Sequence, residues 1–290
     1  LPCDDPEWSN FTLFFAQNFE RFGLKKLIST SYAIESKYNL YGSQLSLFET
    51  DFEKTSKQYD AKKSQSRGKI LKGDGDFRSD EVKALRDEAD IIVTNPPFSL
   101  FREFWKWTLD AEKKFLMIGN VNSISYKDVF PLIRSNKVWL GATGFMTDMV
   151  FGVPEGTAIK ASDKLKAEKM GYFGNYTRLG NSCWFTNLDH GRRHEKLQLM
   201  TTSDIFKYSK HSELRGKNAF DHYDNYNAID IPKVDSIPSD YNEVMGVPIT
   251  FIDKYCPEQF EVLGMASSAG YNKDIVGIEL LEGKDARPLI

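Results

Sequence analysis

Asn95-Pro96-Pro97-Phe98 is the stretch whose residue types most directly suggest chemistry. It follows the apolar run Ile91-Ile92-Val93 and precedes a helical pattern, so the spacing predicts an acceptor-rich loop at a strand end. The exocyclic amine of adenine is a poor nucleophile, because its lone pair is delocalised into the ring. Two acceptors, one for each amine hydrogen, localise that pair and stabilise the charge growing on nitrogen. The Asn95 side-chain oxygen and the Pro96 carbonyl are acceptors of this kind. Pro97 biases Pro96 away from the helical region, and neither proline brings a competing N–H. Phe98 can stack on a base extruded from a duplex. The reaction would be in-line transfer of a methyl group from a sulfonium, helped mainly by positioning. The plainer alternative is a turn, which Asn-Pro and Pro-Pro both favour.

Other residues could assist. Asp4-Asp5-Pro6 offers carboxylates for the amino acid moiety or ribose of a nucleoside cofactor, or simply a helix start. In Gly73-Asp74-Gly75-Asp76-Phe77 the glycines permit a tight backbone beside a ligand. Asp76 could accept from an adenine amine there, with Phe77 packing on the ring, although Gly and Asp also make turns for local reasons. Asp74 or Asp76 followed by Glu81-Val82-Lys83 resembles the carboxylate-plus-Glu-x-Lys arrangement of magnesium nucleases; a solvated helix face with charge pairs is the better reading. His190 and His194 have a metal-compatible spacing, but Arg192 and Arg193 between them argue against a cation. The same residues suit a phosphate-facing loop. With Lys196, Lys207, Lys210, Arg215 and Lys217, and with Phe206 and Tyr208 interleaved, they form a plausible nucleic-acid strip. A solvated surface loop is the bland alternative.

These residues need a scaffold, and the pattern suggests one. Helical spacing runs from Phe11 to Phe19, with Ser9 or Asn10 as cap, and a strand is expected over Leu24–Ser31. Residues 37–69 are polar and read as an insertion. A helix is expected from Ser79 to Glu88, a strand over Asp90–Thr94, a helix over Leu100–Ala111 and a strand over Phe115–Gly119. A helix over Lys127–Arg134 and a strand over Val138–Leu140 follow, with strand character again at Ser182–Asn187. This alternation predicts an α/β fold with a mostly parallel sheet, helices on both faces, and ligands at the carboxyl ends of the strands. Residues 144–169 show weak periodicity, and regular structure is hard to place beyond 199. A boundary near 200 separates an expected catalytic domain, 1–200, from a region 201–290.

Bulk properties narrow the class. No apolar run reaches the ~18 residues of a membrane helix. Cys3, Cys183 and Cys256 are odd in number and form no Cys-x-x-Cys pair, so neither a zinc site nor a disulfide framework is expected, and a reducing cytoplasm suits the chain. Net charge is −3, so attraction to nucleic acid must be local. Leu1-Pro2-Cys3 and the end at Ile290 read as the cut ends of a longer protein.

The chain resembles the EcoRI-type adenine-specific DNA methyltransferases. The resemblance runs through Cys3–Pro6, Gly23–Ile28, Gly73–Ser79, Asp90–Glu103, Lys114–Ser123, Trp184–Asp189, Tyr223–Ile229 and Met245–Phe251. It implies a Rossmann-like class I methyltransferase sheet, S-adenosylmethionine as methyl donor, double-stranded DNA as substrate and a C-terminal target-recognition region. It places Asp4, Asp5 and Pro6 in the cofactor motif, Asp76 and Phe77 at the adenine side, and Asn95–Phe98 in the catalytic motif. A monomer in a bacterial or phage-infected cell is expected, with a cognate restriction endonuclease as a possible sharer of the target site. A glycine-rich Phe-x-Gly-x-Gly loop is absent at Asp4–Pro6, as in that family. Its members also carry an earlier Asp-Glu-Phe-Tyr-Thr segment that this sequence does not contain, and residues 144–180 match poorly. The competing readings are a magnesium-dependent nuclease, a non-catalytic DNA-binding module, and methylation of adenine in RNA or of a protein glutamine.

Overall fold

The computed structural model describes residues 1–4, 9–30, 32, 46–49, 68–71, 74–144, 149–153, 155–224 and 226–265. The elements begin with helix α1 (Asn10–Gln17) and strands β1 (Ile28–Ser29), β2 (Ser46–Glu49) and β3 (Gly68–Ile70). Helix α2 (Asp80–Glu88), strand β4 (Ile91–Thr94), helix α3 (Phe101–Leu109) and strand β5 (Lys114–Asn120) follow. Next come helix α4 (Phe130–Arg134), strands β6 (Trp139–Leu140) and β7 (Met149–Gly152) and helix α5 (Ala161–Lys169). Strands β8 (Tyr176–Leu179) and β9 (Ser182–Thr186), helix α6 (Thr202–Tyr208) and strands β10 (Ile229–Asp230) and β11 (Met245–Gly246) complete the order.

Local chemistry sets several boundaries. The Ser9 hydroxyl caps α1 by accepting from Phe11 N–H, and Ser79 caps α2 by accepting from Val82 N–H. Asp80 and Glu81 add favourable charge in the first turn of α2. α4 starts later than its periodicity suggests, because Pro131 is suited to a first helical turn. The buried position of α1 is Thr12, while Phe14 of the expected apolar stripe is half exposed.

The chain forms two compact units. The first comprises Leu1–Asn120 with Ser182–Leu188, and the second Val121–Asn181 with Asp189–Ile290. In the first, β4 and β5 pair in parallel, with Ile92 opposite Phe115. β9 lies antiparallel on the other side of β5, with Met117 opposite Phe185. β1, β2 and β3 pair antiparallel in order. The mostly parallel sheet expected from the sequence is therefore corrected to a mixed one. The physical reason is that parts of the polar stretch 37–69 and the returning segment 182–186 supply strands that need no crossover helix.

An aromatic core backs β4 and β5. Phe104, Trp105, Phe115 and Phe185 are almost completely buried, and Trp105 meets Phe185 edge-on at 5.5 Å. At Gly119 an added Cβ would lie 2.5 Å from Phe101 and 2.8 Å from Phe185, so this strand passes close beneath both rings.

In the second unit, β7 and β8 pair antiparallel, and α5 lies in the connection between them. After residue 200 short elements surround an apolar cluster that includes Ile205, Phe206, Leu214, Phe220, Ile231 and Phe251. Side chains bind backbone there: Asp240 accepts from Thr202 N–H at 2.8 Å, and Gln259 bonds both Leu197 N–H and Leu197 O. Those bonds replace the long ladders that periodicity would reveal.

Candidate active site

The Asn95–Phe98 segment leaves the sheet at the carboxyl end of β4. Thr94 is fully buried, Asn95 is exposed, Pro96 is buried, and Pro97 and Phe98 are exposed. Pro97 adopts φ −62°, ψ 121°, and its carbonyl accepts Leu100 N–H at 2.9 Å. That bond opens a 3₁₀ turn over Phe98–Leu100, which runs into α3. Pro97 thus spends its carbonyl inside the protein, while the Asn95 side chain and the Phe98 ring reach solvent.

Three hydroxyls fix Pro2–Asp4. Thr94 donates to the Pro2 carbonyl, Ser29 to the Asp4 carbonyl, and Ser9 to Asp4 Oδ1 at 2.9 Å. Thr12 lies 2.7 Å from the Ser29 oxygen. Because Ser29 gives its proton to Asp4, Thr12 is the donor in that bond.

Asp4 is almost completely buried, and its Oδ2 has no hydrogen-bond partner among the described residues. Burial pushes its carboxyl up to about 6, opposed chiefly by the Ser9 hydroxyl. A buried acceptor with one oxygen unspent fits a ligand that brings an ammonium or hydroxyl donor. Cys3 sits in the left-handed region at φ 65°. Burial pushes its thiol up to about 12, and the charges of Asp4 and then Asp76 add to that.

Asp76 is tied to Arg78. Its Oδ1 accepts Arg78 N–H at 2.8 Å and Nε at 2.9 Å, and its Oδ2 accepts Nη2 at 2.7 Å. The Arg78 side chain holds the Asp76 carboxyl below the usual carboxylate range. A carboxylate offers about four acceptor positions, so Asp76 retains capacity for another donor. Asp74 Oδ1 accepts Asp76 N–H at 3.0 Å, and Gly75 at φ 77° turns the chain. Phe77 is buried against Phe104 at 5.0 Å and Trp107 at 5.8 Å, so its ring anchors the turn in the core. Asp5, Pro6 and Gly73 lie outside the described residues.

The charges behind the nuclease reading form local pairs, Asp76 with Arg78 and Lys83 with Asp80 at 3.3 Å. Among the described residues no group of three or more His, Cys, Asp or Glu could hold a metal ion.

In the second unit, Gly191–His194 forms a 3₁₀ turn whose arginines bind the protein itself. Arg192 donates to Asp253 at 2.8 Å and to the Ala142 carbonyl at 2.9 Å. The Arg193 guanidinium lies 3.6 Å from the centre of the Trp139 ring and also donates to Asp189 and Asn136. Its side chain is only 11% exposed, whereas a phosphate-facing arginine would present its fork to solvent. His194 bridges Asp189 at 2.8 Å and Glu258 at 2.6 Å, and the bond to Asp189, then that to Glu258, raise its pKa. Lys196, Lys207 and Lys210 are exposed, with Lys210 paired to Asp235 at 2.8 Å.

Sequence reasoning missed Ser29 and Thr94 as positioning residues and saw only the capping role of Ser9. Their signal was a hydroxyl at the end of an apolar run, where burial demands a partner.

A family model described as adenine-specific methyltransferase EcoRI matches residues 1–285. The chain is similar to the Type II methyltransferase M.EcoRI of Escherichia coli, 42% identical over 270 residues that cover 90% of this chain and 76% of that protein. It is 36% identical to the Type II methyltransferase M.MgeORF184P of Mycoplasma genitalium, over 90% of this chain and 73% of the relative. It is 30% identical to M.MpnI of Mycoplasma pneumoniae, over 90% and 72% respectively. No solved structure gives a significant match. The matched range spans all of the segments described above, and this chain belongs to the EcoRI family of adenine-specific methyltransferases, which methylate DNA at specific sites.

Proposed function

We propose that this enzyme transfers the methyl group of S-adenosylmethionine to the N6 amine of an adenine turned out of double-stranded DNA, with Asn95 and Pro96 directing the amine. The observation that carries the residue assignment is the exposed Asn95 directly after the fully buried Thr94, at the end of a strand. The strand is fixed by its core, so the acceptor is held in place while remaining open to a base. S-adenosylmethionine supplies, when bound, an electrophilic methyl group on a sulfonium. Asn95 Oδ1 and the Pro96 carbonyl accept the two amine hydrogens and stabilise the positive charge that develops on nitrogen. Pro97 sets the Pro96 conformation, and Phe98 stacks on the extruded base.

The Asp4 Oδ2 acceptor, with Asp5 and Pro6 beside it in sequence, holds the amino or ribose end of the cofactor. Asp76 takes the adenine amine, within the turn built from Asp74, Gly75 and Phe77, with Gly73 preceding it in sequence as a further cofactor contact. The catalytic domain, 1–200, is Rossmann-like, and residues 201–290 read the target. Lys196, Lys207 and Lys210, with His194, face the DNA backbone, and Arg192 and Arg193 brace that surface from within. The protein works as a monomer in the cytoplasm, and a restriction endonuclease reading the same site is its natural counterpart.

The test combines calorimetry with S-adenosylmethionine and base-resolved mapping of N6-methyladenine in DNA from cells expressing the protein. A single methylated motif and measurable cofactor binding are expected. Unmodified adenine throughout, or cofactor binding unchanged in Asp4→Ala, would overturn the reading.

A further inference from the structure

The connection between β7 and β8 carries an apolar tip, in which Tyr172 packs on Tyr176 at 5.4 Å and Phe173 is left uncovered. α5 ends in a Schellman motif: Tyr172 N–H bonds the Ala167 carbonyl and Gly171 N–H bonds the Glu168 carbonyl, both at 3.0 Å. Gly171 at φ 90° makes that reversal, and Gly174 at φ 103° makes the next one. Tyr172 and Phe173 are thereby presented between two glycines. The bond from Val153 N–H to the Asn175 carbonyl, 2.8 Å, closes the base of the structure.

Phe173 is 74% exposed, the largest exposure among the described large hydrophobics, and Met170, Tyr172 and Leu165 beside it are also exposed. Exposed apolar side chains gathered in this way, with an aromatic held out at a rigid turn, mark a surface that meets another molecule. The surrounding charge says which kind. Lys160, Lys164, Lys166 and Lys169 are all exposed, and none forms an ion pair among the described residues. The same helix carries Asp163 and Glu168, both half-buried, so in a chain of net charge −3 the exposed charge around this aromatic point is mainly lysine.

We infer that the Tyr172–Phe173 tip is a wedge that inserts into the base stack of the DNA substrate, with the α5 lysines on the flanking phosphates. Apolar side chains inserted between base steps unstack and bend a duplex. A glycine-flanked aromatic set among cations has the parts for this: a π-face for the bases and charge for the backbone. The inference rests on duplex DNA being the substrate, and it assigns a DNA-contacting role to a segment outside the strip of residues 192–210.

The test uses the full chain as parent, Phe173→Ala, Phe173→Trp, and the triple variant Lys164→Gln/Lys166→Gln/Lys169→Gln. Duplex affinity is measured over a range of salt, and unstacking is followed with 2-aminopurine placed at successive positions of the target duplex. Phe173→Ala should lose roughly 5- to 100-fold in duplex affinity. It should also lose an emission increase that the parent shows at one fixed step. Phe173→Trp should retain both, and S-adenosylmethionine binding should stay at the parent value throughout. The triple variant should show a shallower salt slope, by about 0.9 for each phosphate it no longer neutralises. A parent that binds duplex, with Phe173→Ala matching its affinity and its emission pattern, would overturn the wedge alone. A parent that binds no duplex would overturn the DNA reading as well.

Discussion

The Ser9 hydroxyl donates to Asp4 Oδ1 at 2.9 Å while accepting from Phe11 N–H at 3.1 Å, so one oxygen both starts α1 and fixes the Asp4 carboxyl. Asp4 has its pKa raised from 3.8 to about 6, chiefly by burial. The fold therefore favours its neutral form. Its contribution to stability is complete below about pH 4 and is lost as the pH climbs through about 6, a swing of up to about 3 kcal/mol. Asp4→Asn should lack that swing, so its melting temperature should gain on the parent's between pH 4 and pH 8. Cofactor binding should move the other way. Ionised Asp4 attracts a cationic ligand, so parent affinity for S-adenosylmethionine should rise about tenfold from pH 5 to pH 7, and Asp4→Asn should not follow. Calorimetry at the two pH values checks this; parallel profiles would remove Asp4 from the site.

Asn95→Ala should slow single-turnover methyl transfer by ~10²–10³, the usual cost of one preorganised hydrogen bond. Its side chain is exposed, so the melting temperature should stay within about 2 °C of the parent's. Parent-like turnover by a folded Asn95→Ala would end its catalytic assignment.

Gly119→Ala probes the support of the motif rather than the motif. The new methyl would press on Phe101, the first residue of α3, and on Phe185. Such overpacking costs about 1–3 kcal/mol. Denaturant unfolding should show that loss. Methyl transfer should fall too, because α3 directly follows the Asn95–Phe98 loop. A melting curve and turnover both equal to the parent's would show that the rings move aside freely.

Arg193→Ala should act on stability. It removes the stacking on Trp139 and the bonds to Asp189 and Asn136, a loss of roughly 1–3 kcal/mol. The salt slope of DNA binding should remain near the parent's. A shallower slope with unchanged melting would instead make Arg193 a phosphate ligand.

What could be read from the sequence was local. Asn95–Phe98 was legible because prolines stop a strand wherever they occur, and Ser9 and Ser79 because a cap acts within three residues. The partners of Arg192 and Arg193 were not legible, for the opposite reason. These partners, Asp253 and Trp139, lie 61 and 54 positions away, and only tertiary folding brings them together. β9 was recognisable as a strand, but its antiparallel place beside β5 was not, since pairing direction leaves no mark on an apolar run. The cluster around Ile205, Leu214 and Phe251 was invisible because each contributing element is too short to show a period.

The place of β9 has a consequence for synthesis. β5 lies between β4 and β9, and residues 182–186 bond its far edge from beyond a detour of roughly 60 residues. While that detour is being translated, the edge from Leu116 to Asn120 has no neighbour on that side, and it includes Met117 and Ile118, which are buried in the folded protein. At ~5–20 residues per second the ribosome takes roughly 3–12 s to deliver β9. For those seconds the nascent first unit is a sticky half-sheet, and a chaperone has that interval in which to shield it.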